Sequence, residues 1–150
     1  MLTFRFKKER LKDGSYSYRP IIPVTFSNGA KSINAFVLLD TGADITIVPW
    51  GFARILQLGL EKENTKLKGF REESRVYSSL ADIKIGKGRL SYNFQIPLLV
   101  LSEEDSKTGN EDAVIGVRGF FDRFDIKFKL SSNKIELTPI DNLKRIIYYR

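Results

Sequence analysis

Short apolar or alternating segments recur along the chain, and each is closed by a turn signal within a few residues. That is the pattern of an all-β domain. Residues 2–7 alternate apolar and polar positions and predict a strand, followed by a turn at Lys12-Asp13-Gly14-Ser15. Residues 21–26 predict a second strand. Pro20 and Pro23 put it at a sheet edge, because proline cannot donate to a ladder. Asn28-Gly29 is a strong hairpin signal, and residues 31–39 form the expected return strand.

Residues 45–48 predict a further short strand, after which Pro49 can open a helix over residues 50–58 that Gly59 would end. Residues 66–70 and 74–85 read as two arms of a hairpin. Gly86-Lys87-Gly88 is a turn, and residues 90–101 form a long strand region interrupted by Pro97. A polar, acidic surface loop over 102–112 precedes a short helix at 117–124. A last hairpin joins 125–130 to 134–138 across Ser131-Ser132-Asn133. Residues 141–150 read as helical or loose. Trp50, Phe52, Phe120, Phe121, Phe124 and Phe128 are expected in the core, where aromatic rings usually bury. No internal repeat or low-complexity linker divides the 150 residues, so one domain over 1–150 is expected.

Composition narrows the chemistry. The chain is 42% hydrophobic, enough for a core, and has no cysteine, so it forms neither a disulfide nor a thiolate metal site. It also has no histidine. That removes Ser-His-Asp triads, Cys-His dyads and histidine zinc sites, and leaves carboxylates, Lys or Tyr as the acids and bases of any hydrolase. No metal and no cofactor is expected. No apolar run reaches membrane-helix length, and the N-terminus lacks a signal-peptide apolar region, so no membrane association and a cytoplasmic location are expected. The opening Met fits a free-standing chain. The net charge of +7 is concentrated toward the ends, with Arg5, Lys7, Lys8, Arg10 and Lys12 near the start and Lys144, Arg145 and Arg150 at the finish. No recognition helix or RNA-binding motif accompanies it, so nucleic acid is not an expected partner.

Asp40-Thr41-Gly42-Ala43-Asp44 stands between two apolar runs, residues 35–39 and 45–48. A lone ionised carboxylate on a tight loop between buried strands is poorly placed for stability. Beside a second carboxylate it becomes useful, because two carboxyl groups forced together share one proton, and one can serve as base while the other serves as acid. The tripeptide Asp-Thr-Gly occurs once, so this chemistry needs two chains. The loop resembles the active-site loop of the retropepsin-like aspartic proteases. Downstream, Ala113-Val114-Ile115-Gly116-Val117-Arg118-Gly119-Phe120-Phe121 resembles that family's hydrophobic-hydrophobic-Gly segment, and the resemblance covers roughly residues 18–139.

The resemblance implies a closed β-barrel of a single acid-protease lobe with one or two short helices, forming a symmetric dimer that acts on a peptide or protein substrate. It makes Asp40 the catalytic residue, with Asp40 from each chain binding one water between them. Thr41 and Gly42 support the loop, Thr41 by locking the two loops across the dimer axis and Gly42 by letting substrate backbone approach. Ala43 and Asp44 meet substrate backbone, and Asp44 pairs with Arg118, which stands one position later than the family arginine. Gly69 and Phe70 lie at the tip of a flap, Lys68 to Glu73, that has one glycine and several charges. Two other readings stay open. One is a non-catalytic retropepsin-like module for peptide binding or dimerisation. The other is a basic β-barrel for nucleic acid, whose binding would fall steeply with salt.

Overall fold

The computed structural model describes residues 1–62, 67–68, 73–106 and 113–140. Its strands run in chain order as β1 (Leu2–Phe4), β2 (Lys7–Arg10), β3 (Tyr16–Arg19), β4 (Ile21–Asn28), β5 (Lys31–Leu39) and β6 (Thr46–Val48). Helix α1 (Trp50–Leu56) follows, then the two-residue strands β7 (Glu61–Lys62), β8 (Leu67–Lys68) and β9 (Glu73–Ser74). The second half holds β10 (Val76–Lys87), β11 (Leu90–Leu101), β12 (Ala113–Ile115), β13 (Phe124–Lys129) and β14 (Lys134–Pro139).

Six strands close a ring in the order β11-β6-β12-β5-β4-β10, and β10 pairs back onto β11. Closure depends on that last hairpin, whose two 12-residue arms pair along their whole length from Val76↔Leu101 to Lys87↔Leu90. The ring removes all but short sheet edges. Inward positions alternate along the strands. Ile22, Val24 and Phe26 of β4 face the interior with Val37 and Leu39 of β5, Ile83 and Ile85 of β10, and Ile96, Leu98 and Val100 of β11. Each such side chain contributes about 1.5–3 kcal/mol by leaving water. A three-stranded sheet, β1-β14-β13, packs beside the ring, and among the described residues β2 pairs only with β3.

Several expectations need correction. The strand carrying Pro23 is not an edge strand. It has β5 along its full length and β10 against Thr25–Ser27, and Pro23 escapes conflict by lying beyond the β10 pairing. Pro97 does not interrupt β11, where it faces Leu80 within the continuous ladder. Helix α1 stops at Leu56, and it is Gln57 at φ 51° that turns the chain out, not Gly59. The expected helix at 117–124 is a turn followed by one 3-10 turn, Phe121–Arg123, because positive φ at Gly119 breaks helical continuity. The first strand ends at Phe4, and the turn at Lys12-Asp13-Gly14-Ser15 joins β2 to β3. Phe120 and Phe124 are buried, while Trp50, Phe52 and Phe121 are partly so. Phe128 is 43% exposed and tilts against Phe6 at the sheet surface. The tail, 141–150, lies outside the described residues. No helix among the described residues is long and apolar enough to cross a membrane.

Candidate active site

Strand β5 runs buried at Val37 and Leu39 and ends where Asp40 begins the loop. Pairing with the parallel strand β12 continues one residue further, since the Asp40 N–H donates to the Ile115 carbonyl at 3.0 Å. Within the loop the Ala43 N–H donates to the Asp40 carbonyl at 3.2 Å, and the Gly42 N–H donates to Asp40 Oδ1 at 2.8 Å. The second bond holds one carboxylate oxygen, Oδ1, toward the loop. A Cβ on Gly42 would stand 3.1 Å from that same Oδ1, so glycine lets the carboxylate sit against its own loop.

The chain after Gly116 holds the far side of the loop. Val117 N–H donates to the Ala43 carbonyl and Arg118 N–H to the Asp44 carbonyl, both at 2.8 Å. Gly116 packs directly onto Ile45, and a Cβ there would come within 2.5 Å of Ile45 backbone atoms. Thr46 is fully buried, and its Oγ1 accepts the Gly116 N–H at 3.1 Å. A buried N–H without a partner is costly, so this hydroxyl allows the close crossing. The loop is thus clamped from behind while Thr41, Gly42 and Asp44 are exposed and Asp40 is half-buried.

Of the residues singled out from sequence, Asp40, Thr41, Gly42, Ala43 and Asp44 share this loop, and Arg118 lies against it. Asp44 and Arg118 meet through their main chains, with both side chains exposed and no ion pair between them. The Thr41 hydroxyl has no hydrogen-bond partner among the described residues. Gly69 and Phe70 lie outside the described residues, as does most of the proposed flap tip. The antiparallel pair β8–β9 leads into it, Lys68 opposite Glu73.

Two supporting residues escaped the sequence reading. Thr46 was visible only as a polar interruption of an apolar run. Arg123 is the arginine that organises the turn after Gly116. Its Nε donates to the Gly119 carbonyl at 2.9 Å, and its guanidinium lies 4.9 Å from the Phe94 ring centroid. Asp122 Oδ2 accepts the Gly119 N–H at 3.0 Å, and a Cβ on Gly119 would meet Pro97 at 2.7 Å.

No family model matches the chain, and no curated protein does. Solved structures do. A retropepsin-like aspartic protease from Rickettsia conorii aligns over 89% of this chain and 95% of its own, with a TM-score of 0.55 and 18% identity. The EIAV protease complexed with the inhibitor HBY-793 aligns over 65% and 81%, with a TM-score of 0.48 and 24% identity. The retroviral protease-like domain of Ddi1 from Leishmania major aligns over 83% and 98%, with a TM-score of 0.44 and 11% identity. Of the three, only the Rickettsia conorii structure has a TM-score above 0.5, and its 18% identity speaks for fold and not for chemistry. A closed six-stranded ring with the Asp-Thr-Gly loop at the end of one strand, matched over nearly the full length of that neighbour, gives this chain the retropepsin-like fold in a single lobe.

Proposed function

We propose that this chain is an aspartic endopeptidase that works as a homodimer, Asp40 of each copy contributing one of two catalytic carboxyl groups. The observation that carries this reading is the Asp40 loop itself. It is clamped from behind by residues 115–118 and open in front, with one carboxylate oriented by the Gly42 N–H. Such a half-site gains acid–base chemistry only when a two-fold axis brings a second copy to it. One carboxylate would take a proton from the shared water as that water attacks the scissile carbonyl carbon. The other, protonated, would donate to the carbonyl oxygen. No covalent intermediate is needed. The Thr41 hydroxyls, without a partner among the described residues, would meet across the axis, Gly42, Ala43 and Asp44 would line the substrate backbone, and Gly69 and Phe70 would close over it. The description of the Rickettsia conorii neighbour as an aspartic protease supports the same reading.

A non-catalytic peptide-binding or dimerisation module is the second reading. It draws support from Asp44 and Arg118, which touch only through backbone. Asp40→Asn separates the two. It keeps size and fold and removes the acid–base function. Cleavage of an unstructured protein substrate is expected to be highest at acidic pH and to fall at least about a thousandfold in Asp40→Asn. Sedimentation should show a dimer for both proteins. Retained cleavage in the variant removes Asp40 from the chemistry, and a wild type that dimerises without cleaving anything leaves the module.

A further inference from the structure

Residues 7–19 make an excursion that the core does not need. Between Phe6 and Ile21 no side chain is buried in the core, and among the described residues β2 and β3 pair only with each other. A free two-stranded hairpin is marginal in water. This one is braced by its own turn, where Leu11 N–H donates to the Ser15 carbonyl at 2.8 Å and Asp13 Oδ1 accepts the Ser15 N–H at 2.9 Å.

Its two faces differ. The register Lys7↔Arg19, Lys8↔Tyr18, Glu9↔Ser17, Arg10↔Tyr16 sorts the side chains by alternation. On one face Glu9 sits between Lys7 at 3.6 Å and Arg19 at 3.5 Å, so its carboxylate offsets one of the two positive charges there. The other face carries Lys8, Arg10, Tyr16 and Tyr18, all exposed, and no carboxylate. Tyr16 is 55% and Tyr18 43% exposed, and Lys8 Nζ stands 4.1 Å from the Tyr16 ring centroid. The tyrosines are two apart on one strand, so their rings repeat at about 7 Å along it.

We propose that the Lys8–Arg10–Tyr16–Tyr18 face of this hairpin binds single-stranded nucleic acid. Sequence-tolerant single-strand sites pair cations that track the phosphates with aromatic rings on which successive bases stack. This face supplies both, on an exposed strand surface that unstacked bases can reach. A membrane fits less well, because the leading edge of the hairpin carries the Asp13 carboxylate and its single large apolar side chain there is Leu11. An acidic peptide would use the cations and leave the tyrosine rings idle. The proposal stands apart from the peptidase reading, since it involves no residue of the Asp40 loop.

Fluorescence anisotropy of the full chain with a labelled oligothymidine of about twelve nucleotides, a length one small β module can cover, tests this. Saturable binding is expected near 50 mM salt. It should weaken with a log–log salt slope of roughly −1.4 if Lys8 and Arg10 each neutralise one phosphate. Tyr16→Ala with Tyr18→Ala should cost at least about fivefold in affinity with the slope unchanged. Lys8→Gln with Arg10→Gln should flatten the slope. A remote pair, Lys31→Gln with Arg54→Gln, exposed near Asn28 at the far end of β4 from Arg19, removes the same charge and should leave affinity within about twofold. All variants should keep the wild-type melting temperature, as none touches the core. The proposal is overturned if no saturable binding occurs, if the tyrosine variant binds like wild type, or if the remote pair loses as much as Lys8 and Arg10. Oligoglutamate or phosphatidylserine vesicles that bind as tightly as the oligonucleotide would also overturn it, by naming a peptide or a membrane as the occupant.

Discussion

The Asp40 loop and the Lys7–Arg19 hairpin are both connections between strands, and they are built by opposite means. The loop is held from outside itself. Three main-chain hydrogen bonds tie Asp40, Ala43 and Asp44 to residues 115–118, Gly116 lies on the Ile45 backbone, and a buried hydroxyl takes up the remaining N–H. The hairpin is held mainly by itself, through its own ladder, turn and ion pairs. Chemistry that depends on the position of one carboxylate needs the first kind of support, because small displacements of a reacting group are costly in rate. A surface that stacks flexible ligands tolerates the second. Substitutions that load the two supports differently should therefore have very different effects.

A methyl group provides the largest contrast. Gly116→Ala puts a Cβ within 2.5 Å of Ile45 backbone atoms, which cannot swing aside as a side-chain tip can. We expect a loss of about 3 kcal/mol in chemical denaturation, the upper end of overpacking costs, with cleavage lost alongside stability. Gly14→Ala adds the same methyl at the hairpin turn, where φ is +87° and nothing lies within 4 Å. Only backbone strain remains, about 1 kcal/mol, and it falls on the hairpin more than on global unfolding. Equal losses at the two glycines would mean that the clamp behind Asp40 is looser than its distances indicate.

The next effect isolates one hydrogen bond. Thr46→Val keeps the shape of a fully buried side chain and orphans the Gly116 N–H. A cost of about 2 kcal/mol is expected, with Thr46→Ser recovering part of it by restoring the acceptor at the expense of a methyl group. If Val and Ser are equally destabilised, packing and not the hydroxyl holds the crossing.

The same contrast decides how much could be read from sequence. The barrel was legible because its strands are long or apolar and its turns are punctuated, as at Asn28-Gly29 and Gly86-Lys87-Gly88. The Asp40 loop was legible because the apolar runs on both sides set off a carboxylate in the tripeptide Asp-Thr-Gly. The Tyr16–Arg19 strand was missed. It buries neither face, so it has no apolar alternation, and only its pairing with Lys7–Arg10 defines it. Prolines misled in two places for one reason: whether a missing N–H matters depends on which neighbour lies opposite, and that is a tertiary fact. Thr46 and Arg123 act on main-chain groups about seventy and four residues away. In the sequence, Thr46 is a flaw in an apolar strand and Arg123 a solvated charge.

The smallest effect sharpens the comparison from the hairpin side. Asp13 is held below its ordinary value of 3.8, first by the Ser15 hydroxyl and then by the Ser15 N–H, both donating to the carboxylate. A carboxyl group with a lowered value in the folded state stabilises that state fully above the unfolded value. The contribution disappears as pH falls through the lower, folded one. Acidification below about pH 4 should therefore loosen the turn of the hairpin while leaving the barrel intact, since nothing in the core depends on Asp13. An NMR titration following the Ser15 and Gly14 amides would show this as a local shift with its midpoint below 3.8. Ser15→Ala removes the largest cause, so its midpoint should move back toward 3.8, and the hairpin amides should exchange faster than in wild type while Asp13 is ionised. A hairpin whose amides stay as protected as those of β10 and β11 through the whole titration would show that it is anchored to the barrel after all, and the contrast between the two connections would be lost.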